Sequence, residues 1–314
     1  MASSQGPELA ADAGAPPRRD AAATASYGGR DAARAGGHTI ADALDGAVTA
    51  IAAAGCETPR LDAELLLAEV LGVGRERLLL DRGLTVAGPA VRAFQDAVRR
   101  RALAREPVAY ILGRRGFRGI ELAVDSRVLI PRPETELLVE CALSLPAGAR
   151  VLDVGTGSGA VALALKDERP DLEVTASDLS KQALEVARAN GLRLGLEVRW
   201  LRADLLAGVP NAFDAVLANL PYVSEGDRAT LAPEIARHEP PQALFAGAGG
   251  LAAIAALLEQ LQSLPSAGFL ALEVGAGQAA AVGEMARAAG FRTVRAERDL
   301  AGVERVVIAE EGAR

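Results

Sequence analysis

Two short stretches of this chain carry residue types whose spacing suits chemistry. One is the tetrad Asn219-Leu220-Pro221-Tyr222, and the other is a glycine-rich turn, residues 153–159, that lies about sixty residues earlier. The Asn219 side-chain oxygen and the Leu220 carbonyl can each accept one N–H, so together they can hold a planar amino group. Glycines let a backbone turn sharply and approach a nucleotide-like ligand closely. The two stretches therefore predict a bound cofactor facing an amino acceptor.

The glycine turn lies between a predicted strand and a predicted helix, where nucleotides bind in α/β proteins. It contains Gly155-Thr156-Gly157-Ser158-Gly159, and with Ala160 it also satisfies the dinucleotide fingerprint. Asp178 ends the next predicted strand, where its carboxylate can accept hydrogen bonds from ribose hydroxyls. NAD and S-adenosylmethionine both carry that ribose, so the turn alone leaves both cofactors open.

The placement of carboxylates favours S-adenosylmethionine. Asp153 stands just before the glycines, where it would repel a pyrophosphate but suits the cationic amino-acid end of S-adenosylmethionine. Asp204 follows the predicted strand 198–201 after a short turn, in a position to receive the adenine amino group. The structural alternative is a plain tight turn in which the aspartates serve as helix caps.

The tetrad follows the predicted strand 215–218 and suits attack by a weak nitrogen nucleophile. The lone pair of an amide or exocyclic amine is delocalised, so two acceptors must hold the nitrogen in line with a sulfonium methyl group. Tyr222 can stack on the flat face of the acceptor group, and Pro221 fixes the backbone. The residues predict methyl transfer to an amide or nucleobase nitrogen, with no general base in the site.

The elements that must position these residues fall into two parts. Helical spacing at 39–53, 60–71 and 89–104 predicts a helical domain over residues 38–106. Residues 107–133 form a predicted connector, in which 116–124 is a strand and 126–130 its hairpin partner. Residues 1–37 contain few large aliphatic side chains and predict a disordered tail.

Strands and helices alternate through the remainder, residues 134–314, which we predict to be the catalytic domain. This pattern indicates a doubly wound, mostly parallel α/β sheet, in which ligands bind at the carboxyl ends of the strands. The predicted strands are 151–154, 173–176, 198–201, 215–218 and 269–274, followed by a hairpin of 292–298 and 303–309, and the predicted helices are 159–165, 181–190, 249–262 and 277–289.

Composition argues against several other classes of protein. Cys56 and Cys141 lie far apart, which indicates neither a disulfide framework nor a zinc ribbon and favours a reducing cytosol. His38 and His238 are the only histidines, so we expect no metal site and no Ser-His-Asp hydrolase. No apolar run reaches the roughly 18–20 residues that cross a bilayer, so no membrane association is expected.

The net charge of −7 argues against a protein that binds long nucleic acid, because a basic surface supplies most of that affinity. A local cluster of arginines lies between residues 99 and 118, however. It is either a solvated helix face with a loop, or a docking surface for an acidic partner or RNA. The cluster contains Arg99, Arg100, Arg101, Arg105, Arg114, Arg115 and Arg118.

From about Arg60 to its end, the chain resembles the release factor glutamine methyltransferases, the PrmC/HemK family. The most specific match is Val128-Leu-Ile-Pro-Arg-Pro-Glu-Thr-Glu136, whose prolines either shape the glutamine pocket or rigidify a linker. Further matching segments are 61–67, 107–113, 238–244, 249–251 and 299–306. The resemblance implies a class I S-adenosylmethionine-dependent methyltransferase fold, with a seven-stranded sheet, a C-terminal antiparallel hairpin and a small N-terminal helical domain.

The family methylates the side-chain amide of the glutamine in the Gly-Gly-Gln loop of peptide-chain release factors. By resemblance, the helical domain docks the release factor in the cytoplasm, and no stable binding of nucleic acid is expected. The resemblance assigns the cofactor role to Gly155, Thr156, Gly157, Ser158, Gly159 and Asp178, and acceptor-amide binding to Asn219, Leu220, Pro221 and Tyr222.

The chain departs from the family pattern at two positions. Leu220 replaces the first proline of the usual Asn-Pro-Pro-Tyr and gives the Asn-Leu-Pro-Tyr that rRNA adenine dimethylases usually show. Leu205 lies beside the expected adenine site, where some relatives carry tryptophan. The main alternative is therefore an N6-adenine methyltransferase acting on RNA or DNA, followed by a non-catalytic cofactor-binding module and an NAD enzyme.

Overall fold

The computed structural model describes residues 38–209, 213–262 and 268–311. The predicted tail, residues 1–37, lies outside the described residues. Among the residues described, no helix combines the length and the apolar character needed to cross a bilayer.

The N-terminal part is helical and has an apolar core of its own. Helix α1 begins at a capping box in which Thr39 and Asp42 exchange hydrogen bonds, and α2 ends at Gly72 in the left-handed conformation. All three predicted helices are present. The elements are β1 (His38–Thr39), α1 (Ile40–Ala53), α2 (Pro59–Leu71), α3 (Arg75–Leu80), β2 (Thr85–Val86), α4 (Pro89–Ala102) and α5 (Val108–Leu112).

The connector contains a hairpin, but its predicted pairing is wrong. Strand β3 (Arg114–Phe117) pairs with β4 (Ile120–Ala123), so the chain turns inside the stretch predicted as one strand. Arg118 takes a left-handed φ of 47° at that turn, and its guanidinium pairs with Glu140 and Glu168. Residues 126–130 form no strand, and the Val128 carbonyl instead accepts the Tyr110 hydroxyl at 2.6 Å.

The catalytic part is a seven-stranded sheet in the order β10-β11-β9-β8-β5-β6-β7. Strands β7, β6, β5, β8 and β9 are parallel, and β11 and β10 close the sheet as an antiparallel pair, which confirms the predicted fold class. The elements are α6 (Glu136–Ala142), β5 (Arg150–Val154), α7 (Ala160–Glu168), β6 (Glu173–Asp178), α8 (Lys181–Leu194), β7 (Arg199–Arg202), β8 (Ala215–Ala218), α9 (Pro233–His238), α10 (Ala252–Gln262), β9 (Phe269–Glu273), α11 (Ala279–Ala288), β10 (Thr293–Arg298) and β11 (Glu304–Glu310).

Both faces of the sheet are covered by apolar side chains, as short continuous hydrophobic strands require. Val151 and Leu152 are neighbours in β5, yet they belong to separate core clusters, one on each face. The strand order reverses at β5, with β6 on one side and β8 on the other. The carboxyl ends of these three strands therefore open a crevice at the switch point, where ligands bind in such sheets.

Candidate functional site

A cavity of about 720 Å³ lies at the carboxyl ends of β5, β6 and β8. It brings together residues from the glycine turn, from the end of β6, from the turn after β7 and from the tetrad. Most of the predicted site residues line it: Asp153, Gly155, Thr156, Gly157, Ser158, Asp178, Asp204, Leu205, Asn219, Leu220 and Pro221.

Gly159 serves the site by packing rather than by lining the cavity. It has a left-handed φ of 84° at the start of α7, and a Cβ there would lie 2.9 Å from Leu163 Cδ1 and 3.2 Å from Trp200. Only glycine fits this approach of turn, helix and strand. Gly159 therefore allows the tight turn, while residues 155–158 of the same turn line the cavity.

Asp178 holds the glycine turn from the neighbouring strand. Its carboxylate accepts the Gly157 N–H at 2.9 Å and the Ser180 N–H at 2.8 Å. Burial raises the pKa of Asp178, while these two N–H groups oppose the shift. The cap of α8 is Ser180, whose hydroxyl accepts the Ala183 N–H, so Asp178 is left for the site. Each carboxylate oxygen can accept a further hydrogen bond from a ligand hydroxyl.

Asp153 is only 2% exposed and stabilises the same glycine turn through hydrogen bonds. One carboxylate oxygen accepts the Thr156 hydroxyl at 2.6 Å and the Ala162 N–H at 3.3 Å. Burial raises the pKa of Asp153 to about 7, against the opposing effect of those two donors. The other carboxylate oxygen of Asp153, Oδ1, takes part in neither hydrogen bond and could accept one from the ammonium group of a ligand.

Asp204 and Leu205 form the far wall of the cavity, directly after β7. Asp204 is exposed and bridges to Ala207, and Leu205 takes a left-handed φ of 53°. The following N–H, from Leu206, donates to the Gln260 side chain at 2.8 Å and fixes the turn. The adenine contact of the exposed Asp204 and the half-buried Leu205 stays a prediction.

The tetrad presents one polar side chain to the cavity. The Asn219 amide nitrogen donates to the Thr135 hydroxyl oxygen at 3.1 Å, so the amide oxygen is the end left to accept an N–H. Leu220 is 4% exposed and packs in an apolar core cluster, which leaves its carbonyl as its polar acceptor in the site. That the Asn219 side-chain oxygen and the Leu220 carbonyl act together as two acceptors stays a prediction.

Tyr222 makes a hydrogen bond that the sequence did not predict. It is not among the residues found to line the cavity between 38 and 311, where those are described, and its hydroxyl donates to Glu273 Oε1 at 3.2 Å. Burial is the main cause that raises its pKa, with Glu273 adding to the effect. The structure gives Tyr222 an anchoring contact, and the stacking role stays a prediction.

Sequence reasoning missed the side chains that hold the tetrad in place. Thr135 lies inside the segment 128–136, which was singled out only for its resemblance. Glu273 ends the apolar strand Phe269-Leu-Ala-Leu, and a charge at the carboxyl end of a buried parallel strand was the available signal. The amide of Gln278 donates to the Tyr222 carbonyl at 3.0 Å.

A second missed feature is the loop of residues 223–247, which forms one wall of the cavity through Pro240, Gln242 and Phe245. Its helix α9 reaches back to the helical domain. Glu234 there pairs with Arg101 at 3.1 Å and with Arg105 at 2.6 Å. The wall of the cavity is thus tied to the N-terminal part.

Six of the seven arginines in the cluster pair with carboxylates, whereas the exposed Arg115 shows no ion pair with any described residue. Arg100 pairs with Glu106 at 2.6 Å and Arg101 with Asp62 at 2.6 Å, and Arg114 and Arg118 likewise contact carboxylates. Arg99 lies 3.7 Å from Asp96. This arrangement supports the interpretation as a helix face and a loop rather than a docking surface for RNA.

Two family profiles and a solved structure match large parts of the chain. Residues 42–113 match a family profile described as the PrmC N-terminal domain, and residues 133–256 match the methyltransferase small domain. The catalytic domain of hMettl16, solved with an RNA hairpin, is 14% identical and has a TM-score of 0.50, covering 73% of this chain and 83% of its own. That likeness shows the fold alone.

Curated relatives extend over most of the chain. The release factor glutamine methyltransferase of Deinococcus radiodurans is 41% identical, over 85% of this chain and 97% of the relative. The enzyme of the same name from Bordetella pertussis is 44% identical, over 79% of this chain and 93% of the relative. The resemblance drawn from the motifs is confirmed, and the chain belongs to the release factor glutamine methyltransferase family.

Proposed function

We propose that this protein transfers a methyl group from S-adenosylmethionine to the side-chain amide nitrogen of the glutamine in the Gly-Gly-Gln loop of peptide-chain release factors. One observation carries the proposal: Thr135 fixes the Asn219 amide nitrogen, so the amide oxygen can accept an N–H in the cavity shared with the glycine turn. The names of the relatives supply the substrate class. The reaction is placed in the cytoplasm, where translation occurs.

The residues present fit the proposed cofactor. Asp178 would accept the ribose hydroxyls, the turn from Asp153 to Gly157 would take the amino-acid end, and Asp204 with Leu205 would take the adenine. When bound, S-adenosylmethionine supplies a methyl carbon activated by a sulfonium. Carboxylates at both ends of the cavity suit a ligand with a cationic end and hydroxyl and amino donors, whereas they disfavour a pyrophosphate.

At the acceptor, the chain's own groups hold and polarise the substrate nitrogen. The Asn219 side-chain oxygen and the Leu220 carbonyl each accept one N–H of the glutamine amide. This contact turns the nitrogen toward the methyl carbon and stabilises the positive charge that builds on it. As the nitrogen–carbon bond forms and the carbon–sulfur bond breaks, the amide keeps both protons, and one then leaves to solvent.

The adenine alternative has one feature in its favour, which is Leu220. Its carbonyl serves as an acceptor whichever planar amine is bound, so the leucine does not discriminate between the substrates. The paired arginines and the net charge of −7 leave little basic surface for a nucleic acid. Family membership also favours the release factor.

The test is incubation of the full chain with labelled S-adenosylmethionine and a purified release factor. We expect label in the release factor and, by mass spectrometry, one added methyl on the glutamine of the Gly-Gly-Gln loop. A release factor whose glutamine is replaced by alanine is the matched control and should take no label. Label in RNA or DNA only would contradict the proposal and support the adenine alternative.

A further inference from the structure

We propose that Glu273 is a positioning residue for the acceptor site, which fixes both ends of the tetrad through Thr135 and Tyr222. The inference rests on the proposed function and extends it, because it identifies what sets the orientation of the amide that binds the substrate. Glu273 belongs to neither the glycine turn nor the tetrad, and it is not among the residues that line the cavity.

Glu273 is a carboxylate in a buried position, where an apolar side chain would stabilise the fold better. It ends β9, in which every residue is buried, and it is itself only 2% exposed. One oxygen accepts the Tyr222 hydroxyl at 3.2 Å, while the other is buried without a hydrogen-bond partner among the described residues. Burying a carboxylate with so few partners is unfavourable for folding.

We infer a hydrogen-bond chain of one polarity that runs from Asn219 through Thr135 to Glu273. The Asn219 amide nitrogen donates to the Thr135 hydroxyl oxygen, which leaves the hydroxyl proton of Thr135 to be donated elsewhere. Thr135 and Tyr222 are the hydroxyls that act on Glu273, and both lower the pKa of its carboxyl. An ionised carboxylate accepts from both of them and donates to neither.

This polarity decides which way the Asn219 amide faces. If the amide were flipped, its oxygen would meet a Thr135 oxygen whose proton is directed at Glu273, and two acceptors would face each other. With the observed orientation, the amide oxygen is left for the substrate nitrogen. The carboxylate therefore selects the rotamer that the acceptor site needs.

The other end of the tetrad is fixed from the same place. Gln278 follows β9, accepts the Gly275 N–H at 2.8 Å and donates to the Tyr222 carbonyl at 3.0 Å. Tyr222 is thus held at its hydroxyl by Glu273 and at its backbone by Gln278. Both the first and the last residue of the tetrad take their position from the carboxyl end of β9.

The charge of Glu273 depends on pH near neutrality. Burial raises the pKa of Glu273 to about 7, and Glu134 adds to this effect, while Arg305 and the two hydroxyls oppose it. Arg305 and, more weakly, Arg132 also act on Tyr222 and lower its pKa. Because the carboxylate is the form that orders the chain, methyl transfer should decline as the pH falls through about 7.

The test compares Glu273→Gln with the wild-type full chain on a purified release factor, over a range of pH. We expect kcat to fall about tenfold, because misplacing a reacting group costs this much or more. The Kd for S-adenosylmethionine should change less than about twofold, and the Tm at alkaline pH should stay level or rise, since a buried charge is removed. In the plot of kcat against pH, the decline that protonation of Glu273 causes below about pH 7 should be absent from the variant.

A control variant at Glu284 and a series at Thr135 keep the inference falsifiable. Glu284→Gln on α11 replaces an exposed carboxylate and should leave kcat and its pH profile unchanged. Thr135→Val removes the link to Asn219, and combining it with Glu273→Gln should cost little more than either change alone, while Thr135→Ser should restore kcat.

Wild-type kcat and an unchanged decline of kcat below about pH 7 in Glu273→Gln would overturn the inference. A lowered Tm together with weakened cofactor binding would also overturn it, because that result describes a residue that only supports the fold. These outcomes are separate from failure of the proposed function, which would appear as a wild-type chain that leaves the release factor unlabelled.

Discussion

The donor side and the acceptor side of the cavity are built in different ways. On the donor side, Thr156 contacts Asp153 three residues away, and Gly157 contacts Asp178, 21 residues away in the next strand. On the acceptor side, Asn219 depends on a hydroxyl 84 residues earlier, and Tyr222 depends on a carboxylate 51 residues later. One half is assembled from local backbone geometry and the other from side chains that meet only in the folded sheet.

The difference predicts separable effects of mutation. Changes on the donor side should weaken cofactor binding, because we propose that the turn and Asp178 contact the cofactor. Changes on the acceptor side should lower kcat and leave cofactor binding intact, because we propose that the tetrad acts on the substrate nitrogen. Single substitutions on each side of the cavity test this division.

Asn219→Ala should lower kcat by about a thousandfold, since removing one preorganised group at a reacting centre costs about 10²–10³. The Kd for S-adenosylmethionine, measured by calorimetry, should stay within about twofold of wild type. Leu220→Pro keeps the carbonyl acceptor and is the matched variant, for which we expect a small change only. Equal losses in kcat and cofactor affinity for Asn219→Ala would contradict the division.

Asp178→Ala should weaken binding of S-adenosylmethionine by about ten- to a hundredfold, because a hydrogen bond to a charged group contributes about 1.5–3 kcal/mol. Asp178 also holds the Gly157 N–H, so the turn loses a contact at the same time. At saturating cofactor, kcat should be largely retained. An unchanged Kd would count against the ribose contact.

Gly250→Ala should lower kcat about tenfold while cofactor binding is kept, because a displaced reacting group loses about this much rate. A Cβ at residue 250 would lie 2.2 Å from the Tyr222 carbonyl oxygen, and the residue has a left-handed φ of 69°. Gly249→Ala is the control, since a Cβ there meets nothing within 4 Å. Similar kcat values for the two variants would argue against Tyr222 as an anchor.

Asp153→Asn should reduce the pH dependence of stability. Burial raises the folded-state pKa of Asp153 to about 7 from an ordinary value of 3.8, so the folded chain keeps a proton that the unfolded chain loses. The stabilisation is fully present below about pH 4 and is lost as the pH rises through about 7. Urea denaturation at several pH values should show a smaller decline for the asparagine variant. An identical decline would mean that Asp153 does not titrate in this range.

Much of the fold followed from local patterns in the sequence. The glycine turn, the tetrad and the alternation of strands with helices could all be predicted, because residues close together in the sequence determine each of them. The strand pairing in the connector was predicted wrongly, since a left-handed residue other than glycine, Arg118, makes the turn. Helix α3 was missed because its three consecutive leucines, 78–80, give no amphipathic period.

The parts of the site that escaped prediction share one physical cause. Thr135, Glu273 and Gln278 matter only because the sheet brings three distant segments to one edge, and no spacing in the sequence records that. Tyr222 shows the same limit from the other direction. Its residue type predicts stacking on the substrate, but nothing in the sequence predicts that its hydroxyl also contacts Glu273.

The proposed acceptor site is tested most directly by a crystal structure of the chain with S-adenosylhomocysteine and a Gly-Gly-Gln peptide. We predict that the glutamine amide nitrogen lies about 2.7–3.2 Å from both the Asn219 side-chain oxygen and the Leu220 carbonyl oxygen, and faces the sulfur of the cofactor product. A glutamine amide bound away from Asn219, or cofactor sulfur on the far side of the glycine turn, would contradict it.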